Sequence, residues 1–156
     1  MVITPQPISS AMPGYSGTPL PKKLGLKDQY RVAFLDLPPE VRAELKEALA
    51  TCRMAKHGPY DFVQIFVKSQ TDLRKYFSQF SSQLEPSGML WVSWPKKGSG
   101  VTTDLTESEV RNIGLALGLV DVKVCAVTEI WSGLKFVIRV KDRPQKRRSL
   151  INPSRR

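Results

Sequence analysis

Apolar positions along this chain alternate between two patterns: short continuous runs, and stretches with an apolar residue every three or four positions. The first run, Tyr30–Leu37 (YRVAFLDL), suits a strand covered on both faces. Pro38 and Pro39 end it, and the second proline fits a first helical turn, where a missing N–H costs nothing. A helix follows from about Glu40 to Ala50, with Val41, Leu45, Ala48 and Leu49 on one face. The loop from Arg53 to Tyr60 ends in Gly58-Pro59, a strong break. Asp61–Val67 (DFVQIFV) is the second strand. Ser69 and Thr71 are candidate caps for a helix whose Leu73, Tyr76, Phe77, Phe80 and Leu84 recur at helical spacing.

Pro86-Ser87-Gly88 stops that helix, and Met89–Trp94 is the third strand, apolar except for Ser93. Thr106 with Glu109 three positions later forms a capping box for a third helix. Val110, Ile113, Ala116 and Leu117 make its inner stripe, and Gly118 is its natural stop. Two β-rich runs, Val122–Ile130 and Leu134–Val140, are separated only by Trp131-Ser132-Gly133, which predicts a hairpin turning there. The order βα, βα, βα, ββ predicts an α/β fold: a small three-layer Rossmann-like sandwich. Its sheet is expected to be mostly parallel and five-stranded, with a C-terminal antiparallel hairpin.

The flanks read differently. Residues 1–12 are Pro/Ser-rich without periodicity and read as a disordered lead. Residues 13–29 (PGYSGTPLPKKLGLKDQ) carry Tyr15, Leu20, Leu24 and Leu26 as anchors, while glycines and prolines forbid a long helix. This stretch reads as an ordered arm across the 30–141 domain, with a short turn near Pro21–Leu24. The chain ends in a basic tail, 142–156, where order is expected to fade.

Charge and composition sharpen this picture. Apolar residues make up 41% and charged residues 24%, an ordinary globular balance. The formal charge is +10, yet from Lys141 to Arg156 there are seven basic residues against one acid. Most of the basicity therefore belongs to the tail, and weak, salt-sensitive, nonspecific nucleic-acid binding is the most that 141–156 implies. Two isolated cysteines and one histidine make a poor metal set, so no metal is expected and the thiols are read as reduced. The start of the chain has neither the charged region nor the apolar core of a secretory signal, and no stretch approaches a membrane span. The expectation is a cytoplasmic protein without membrane contact.

The candidate chemistry lies at the carboxyl ends of the predicted strands: Asp36–Pro39, Lys68–Gln70 and Pro95–Asp104. The last is the richest. Trp94, Lys96, Lys97, Gly98, Ser99, Gly100, Thr103 and Asp104 combine cations, flexible backbone and hydroxyls, a set that suits a small anionic ligand or a protein partner. The same loop also reads as solvated connection, since Gly98 and Gly100 complete neither a dinucleotide fingerprint nor a phosphate loop. Asp104 either pairs with Lys96 or Lys97 as acid and base, or joins Thr106 in organising the start of the helix. Trp94 lines a pocket or caps the core. Tyr15 and Trp131 are candidate surface contacts, the latter because a tryptophan in a hairpin turn is hard to bury. His57, beside Gly58-Pro59, has no sequence partner for a triad. No catalytic set and no cofactor motif are identified, which leans the reading toward a non-catalytic protein.

Two blocks, GYSGTPLPKKLG from Gly14 to Gly25 and the long run from Gly88 to Arg139, resemble a bacterial family known only as a domain of unknown function. That resemblance implies a small cytoplasmic bacterial protein and transfers no site residue. More coarsely, the layout from Asp61 onward is similar to the second half of Rossmann-fold methyltransferases that use S-adenosylmethionine. Those proteins share a strand opening Asp-aromatic-Val, a helix, Pro-x-Gly, an apolar strand, another helix and a closing hairpin. Where they have a glycine-rich loop after the first strand, this chain has Asp36-Leu37-Pro38-Pro39. Their ribose-holding acid at the next strand end has no counterpart, for about two strands of sequence are missing. The resemblance implies the fold and, by these departures, argues against methyl transfer; a reduced transferase-like enzyme is the alternative.

Overall fold

A computed structural model describes residues 17–143. The lead, Tyr15 and the tail beyond Arg143 lie outside the described residues. The chain begins with a short helix, α1 (Leu20–Leu24), and continues through β1 (Arg31–Leu35), α2 (Pro39–Leu49), β2 (Arg53–Met54) and β3 (Tyr60–Phe66). It then runs through α3 (Gln70–Ser81), β4 (Leu84–Pro95), α4 (Glu107–Ala116) and the hairpin β5 (Val120–Ala126) and β6 (Trp131–Val137). A single 3-10 turn, Val140–Asp142, closes it.

The sheet order is β2-β1-β3-β4-β6-β5. β2, β1, β3 and β4 pair in parallel, and β6 is antiparallel to both β4 and β5. The fold is thus the expected Rossmann-like sandwich, with six strands instead of five. The extra strand, β2, has two residues and pairs Arg31 with Arg53 and Val32 with Met54. Two residues carry no periodicity, so it is invisible to pattern. Because β2 is so short, β1 is nearly an edge: only Val32 and Ala33 are buried, where the sequence predicts coverage on both faces along the whole run.

Helix placement follows from strand order. β1 steps to β2 in one direction and β3 steps to β4 in the other, so right-handed crossovers must lie on opposite faces. Accordingly α1 and α2 pack on one face, where Leu20, Leu24, Val41 and Leu45 meet Phe62, Phe66 and Trp91. On the other face α3 and α4 bring Leu73, Phe77, Val110 and Ile113 onto Val63, Ile65, Leu90 and Val92. Alternate residues of β3 and β4 serve alternate layers, the period-2 rule of a doubly covered sheet. Ser69 caps α3 by accepting from the Asp72 N–H at 3.1 Å, and Thr106 caps α4 from Glu109 at 3.2 Å.

The hairpin turns four residues earlier than its sequence suggests. Thr128 Oγ1 accepts from the N–H groups of Ile130 (3.0 Å) and Trp131 (3.1 Å), and this makes the turn. Trp131 therefore opens β6 and is buried at 7% exposure, which corrects its assignment as a surface contact. Phe66 meets its ring edge-on at 5.1 Å. Gly133, which looked like the turn glycine, sits within the strand because the Trp91 ring lies over it. A Cβ there would be 3.2 Å from that ring and 3.0 Å from Val127 Cγ2.

α1 is held from beneath. The Trp91 indole N–H, fully buried, donates to the Leu24 carbonyl at 2.8 Å. Gly25 closes the helix at φ 80°, a left-handed conformation that costs glycine nothing.

Candidate functional site

The strand order reverses between β1 and β3, and a crevice forms beyond the carboxyl ends of strands at such a switch point. Here it is a cavity of about 490 Å³, within the range of small-molecule sites. Leu35–Pro39 form one wall; Phe66, Val67 and Lys68 form the floor at the end of β3. Asp72 and Tyr76, one turn apart on α3, form the opposite wall, and Trp131 closes the side at the start of β6.

Local sequence explains each position. Asp36 takes a left-handed conformation, φ 55°, which lets the chain turn sharply off β1; Asp tolerates that region better than most side chains. Pro38 and Pro39 then open α2 at its N-cap and first position. This helix therefore begins with two prolines and an acid, Glu40, in its first turn. A helix start that binds phosphate needs free N–H groups and no competing anion, and this one has neither advantage. The cavity instead presents two carboxylates, Asp36 and Asp72, one ammonium, Lys68, and the aromatic rings of Phe66, Tyr76 and Trp131. Lys75 Nζ lies 5.1 Å from the Tyr76 ring centre. Two residues below Phe66 on the same strand face, buried Gln64 donates from Nε2 to Ser93 Oγ at 3.0 Å, and its Oε1 has no protein partner.

The Trp94–Asp104 residues singled out from sequence lie one strand away. Trp94 is in the core on the α3/α4 face, so it caps the core and does not line the cavity. The loop from Lys96 to Asp104 is fastened to the β3–α3 connection. Thr103 Oγ1 donates to the Lys68 carbonyl at 2.6 Å, and Asp104 accepts from the Gln70 N–H at 2.8 Å. Asp104 thus serves the start of α3, the helix next door, and pairs with neither Lys96 nor Lys97. Ser99 Oγ accepts from Val101 N–H at 3.2 Å. The Lys96 N–H donates to the Ile130 carbonyl at 2.7 Å, while Lys97, Gly98 and Gly100 stay exposed. None of these residues lines the switch-point cavity.

Asp72 and Tyr76 do not stand out in the sequence as site residues, because one reads as a polar start of α3 and the other as part of its apolar stripe. Their i, i+4 separation at the helix end nearest the strand ends is the signal that was available. β2 adds no acid: its carboxyl end runs into Ala55 and Lys56. His57 is exposed, and its carbonyl accepts from Arg31 Nη2 at 2.6 Å. Burial first of all pushes the thiols of Cys52 and Cys125 above their usual range, so neither is an activated thiolate. Among the described residues no cluster of His, Cys, Asp and Glu is suited to a metal, and no helix is long and apolar enough to cross a membrane.

No protein-family model and no curated protein matches this sequence. Among solved structures, the chain is similar to the glycopeptide N-methyltransferase MtfA complexed with sinefungin, at 13% identity over 76% of this chain and 90% of that one, TM-score 0.50. The fold is that of Rossmann-like methyltransferases. A methyltransferase from Pyrococcus furiosus gives 12% identity over 75% and 78% of the two chains, TM-score 0.49. A fibrillarin pre-rRNA processing protein from Methanococcus jannaschii gives 13% over 78% and 69%, TM-score 0.48.

Proposed function

We propose that this protein is a reduced transferase-like enzyme whose switch-point cavity takes a ligand of the S-adenosylmethionine class. The observation that carries the reading is the cavity lining: Asp36 and Asp72 with Tyr76 and Trp131, beside a helix start without phosphate-binding character. Carboxylates suit ammonium, sulfonium and ribose hydroxyl groups, and aromatic rings suit a purine. A phosphorylated nucleotide would meet Glu40 and two prolines. Asp36 reproduces with a left-handed residue the turn that a glycine makes elsewhere, which answers part of the departure read from sequence. When bound, such a ligand supplies an electrophilic alkyl group. The chain's own residues hold and orient it, and Trp131 with Phe66 excludes water from one side. The fold likeness to an enzyme complexed with sinefungin makes that compound a natural probe. The blocks Gly14–Gly25 and Gly88–Arg139 make an uncharacterised bacterial family and a cytoplasmic setting the working context.

Thermal unfolding with S-adenosylmethionine, sinefungin or ATP tests this. At about one hundred times Kd a ligand adds roughly 2.7 kcal/mol, which raises Tm by about 5–10 °C in a chain of this size. We expect that rise with the adenosyl compounds and little with ATP, and its loss in Asp36→Asn/Asp72→Asn. Silence of every adenosyl compound at saturating concentrations overturns the reading. A second reading, a non-catalytic protein that binds a small anion or partner at Lys96–Asp104, is favoured by the exposure of Lys97, Gly98 and Gly100. A shift with ATP that Lys96→Ala/Lys97→Ala abolishes would select it.

A further inference from the structure

A basic face lies on the α1 side of the sheet, away from the cavity. Lys123 on β5 and Lys135 on β6 are cross-strand partners. Lys123 Nζ donates to the Lys23 carbonyl at 2.8 Å, and Lys23 Nζ donates to the Ala126 carbonyl at 2.9 Å. Lys135 Nζ lies 3.9 Å from where a Cβ on Gly25 would be, at the end of α1. Lys27 follows just beyond. Burial, then Lys123 and Lys27, lower the pKa of Lys135; of the charged neighbours acting on Cys125, all are lysines, namely Lys23, Lys123 and Lys96. The cations therefore form one stripe: Lys27, Lys135, Lys123, Lys23, Lys96. Along β6 and across Pro95 the stripe covers about five residue steps, roughly 17 Å at ~3.4 Å per residue.

The strand geometry keeps acid off this face. In a regular strand Asp121 and Lys123 would share a side and neutralise one another. The register shift between them turns Asp121 to the other face, where it binds Arg111 of α4 at 2.9 Å. Like charges directly opposite each other destabilise a sheet, and the bulge leaves Lys123 against Lys135 in that state. Among the described residues, Lys27, Lys96, Lys123 and Lys135 have no carboxylate at ion-pair distance.

We propose that the α1–β5–β6 stripe binds the phosphate backbone of a nucleic acid. A row of ammonium groups, with no guanidinium fork among them, suits successive phosphates without reading bases. A lipid surface fits less well: of the two exposed valines of β5, Val124 is in register with Leu134 and faces the α3/α4 side, and Val122 at the bulge is by itself too small an apolar surface to insert into a bilayer. The stripe is distinct from the basic tail and from the cavity, and binding through it needs no cavity ligand.

The test is fluorescence anisotropy of the full chain with mixed-sequence RNA and DNA between about 50 and 200 mM salt. Lys27→Gln/Lys96→Gln/Lys123→Gln is compared with Lys46→Gln/Lys56→Gln/Lys75→Gln, which removes equal charge elsewhere. The stripe variant should weaken binding about tenfold or more and flatten the single-strand salt slope by roughly 2, from 0.7 per lost phosphate contact. The control should change both little. Lys135→Gln should weaken binding yet raise the Tm of the free protein, an outcome that a merely structural lysine would not give. Equal effects of the two triple variants, absence of binding, or binding to phosphatidylserine vesicles in place of nucleic acid each overturns the proposal.

Discussion

Replacing Trp91 with alanine lowers the unfolding free energy by about 3–5 kcal/mol, the usual range for a large aromatic removed from a packed interior. For a domain whose whole stability is of order 5–15 kcal/mol, that is a large share. The loss here has two parts. The ring is fully buried, lies over Gly133 and packs with Phe62, Phe66 and Leu24. Its indole N–H also satisfies the Leu24 carbonyl across 67 residues of chain. Trp91→Phe keeps most of the volume and removes the hydrogen bond, so it should cost only about 1–2 kcal/mol. Urea unfolding separates the two variants. Limited trypsin digestion reports the local consequence, because α1 carries Lys22 and Lys23 and is followed by Lys27. In Trp91→Ala these sites should be cut well before the rest of the domain. Equal costs for the two variants, with no early cleavage, would show that the indole does not hold α1.

The same tryptophan shows what the sequence could and could not say. Apolar runs and helical spacing identified five of the six strands, two of them with displaced ends, and the three longer helices in their order, because a doubly covered sheet writes its burial into nearly every residue. Trp91 and Trp94 are an odd number of positions apart, so the strand period alone puts them on opposite faces, and they lie on opposite faces. The hairpin was misplaced for a reason of three-dimensional packing. Gly133 is small because Trp91 lies over it, and a close approach between residues 42 apart leaves no local mark. The irregular start of β4 is similar: Pro86-Ser87-Gly88 looks like a terminator, yet the strand runs through it from Leu84 with a register shift against Tyr60. A Cβ on Gly88 would lie 2.6 Å from the Tyr60 carbonyl, so the glycine is there for contact.

The site was half legible. Strand ends were recognised as the place for a ligand, and Asp36–Pro39 and Lys68 do line the cavity. Chemical richness drew the sequence reading to another loop. The Lys96–Asp104 loop carries more polar groups than any other, but several of them fasten it to Lys68 and Gln70. The cavity wall from α3 draws on Asp72 and Tyr76, which periodicity assigns to a helix without saying which end faces a crevice. The basic face was hidden in another way. Lysines at 27, 96, 123 and 135 are scattered in sequence, and the register shift at Asp121 is what leaves them together without an acid. The total charge pointed to the tail; only the register shows a second concentration on the folded body.

Gly114→Ala, a substitution that normally strengthens a helix by about 1 kcal/mol, should here cost up to about 2 kcal/mol net. Gly114 lies inside α4 and faces the sheet, where a Cβ would fall on the Phe136 ring, clashing with Cε2 and Cζ. That ring cannot retreat easily. It is fully buried and stands edge-on to Phe77 at 5.1 Å, with planes at 88°. Overpacking of this kind costs about 1–3 kcal/mol or more, which outweighs the gain in propensity. The decisive measurement is a double-mutant cycle with Phe136→Leu, which by itself should cost about 1–1.5 kcal/mol as a repacking change. With the ring gone, the alanine methyl fits the space it vacated, and the helix recovers its propensity gain. The double variant should then be at least ~1 kcal/mol more stable than the sum of the single losses predicts. Simple additivity, or a Gly114→Ala protein more stable than the parent, would mean that α4 does not approach β6 as closely as this glycine allows.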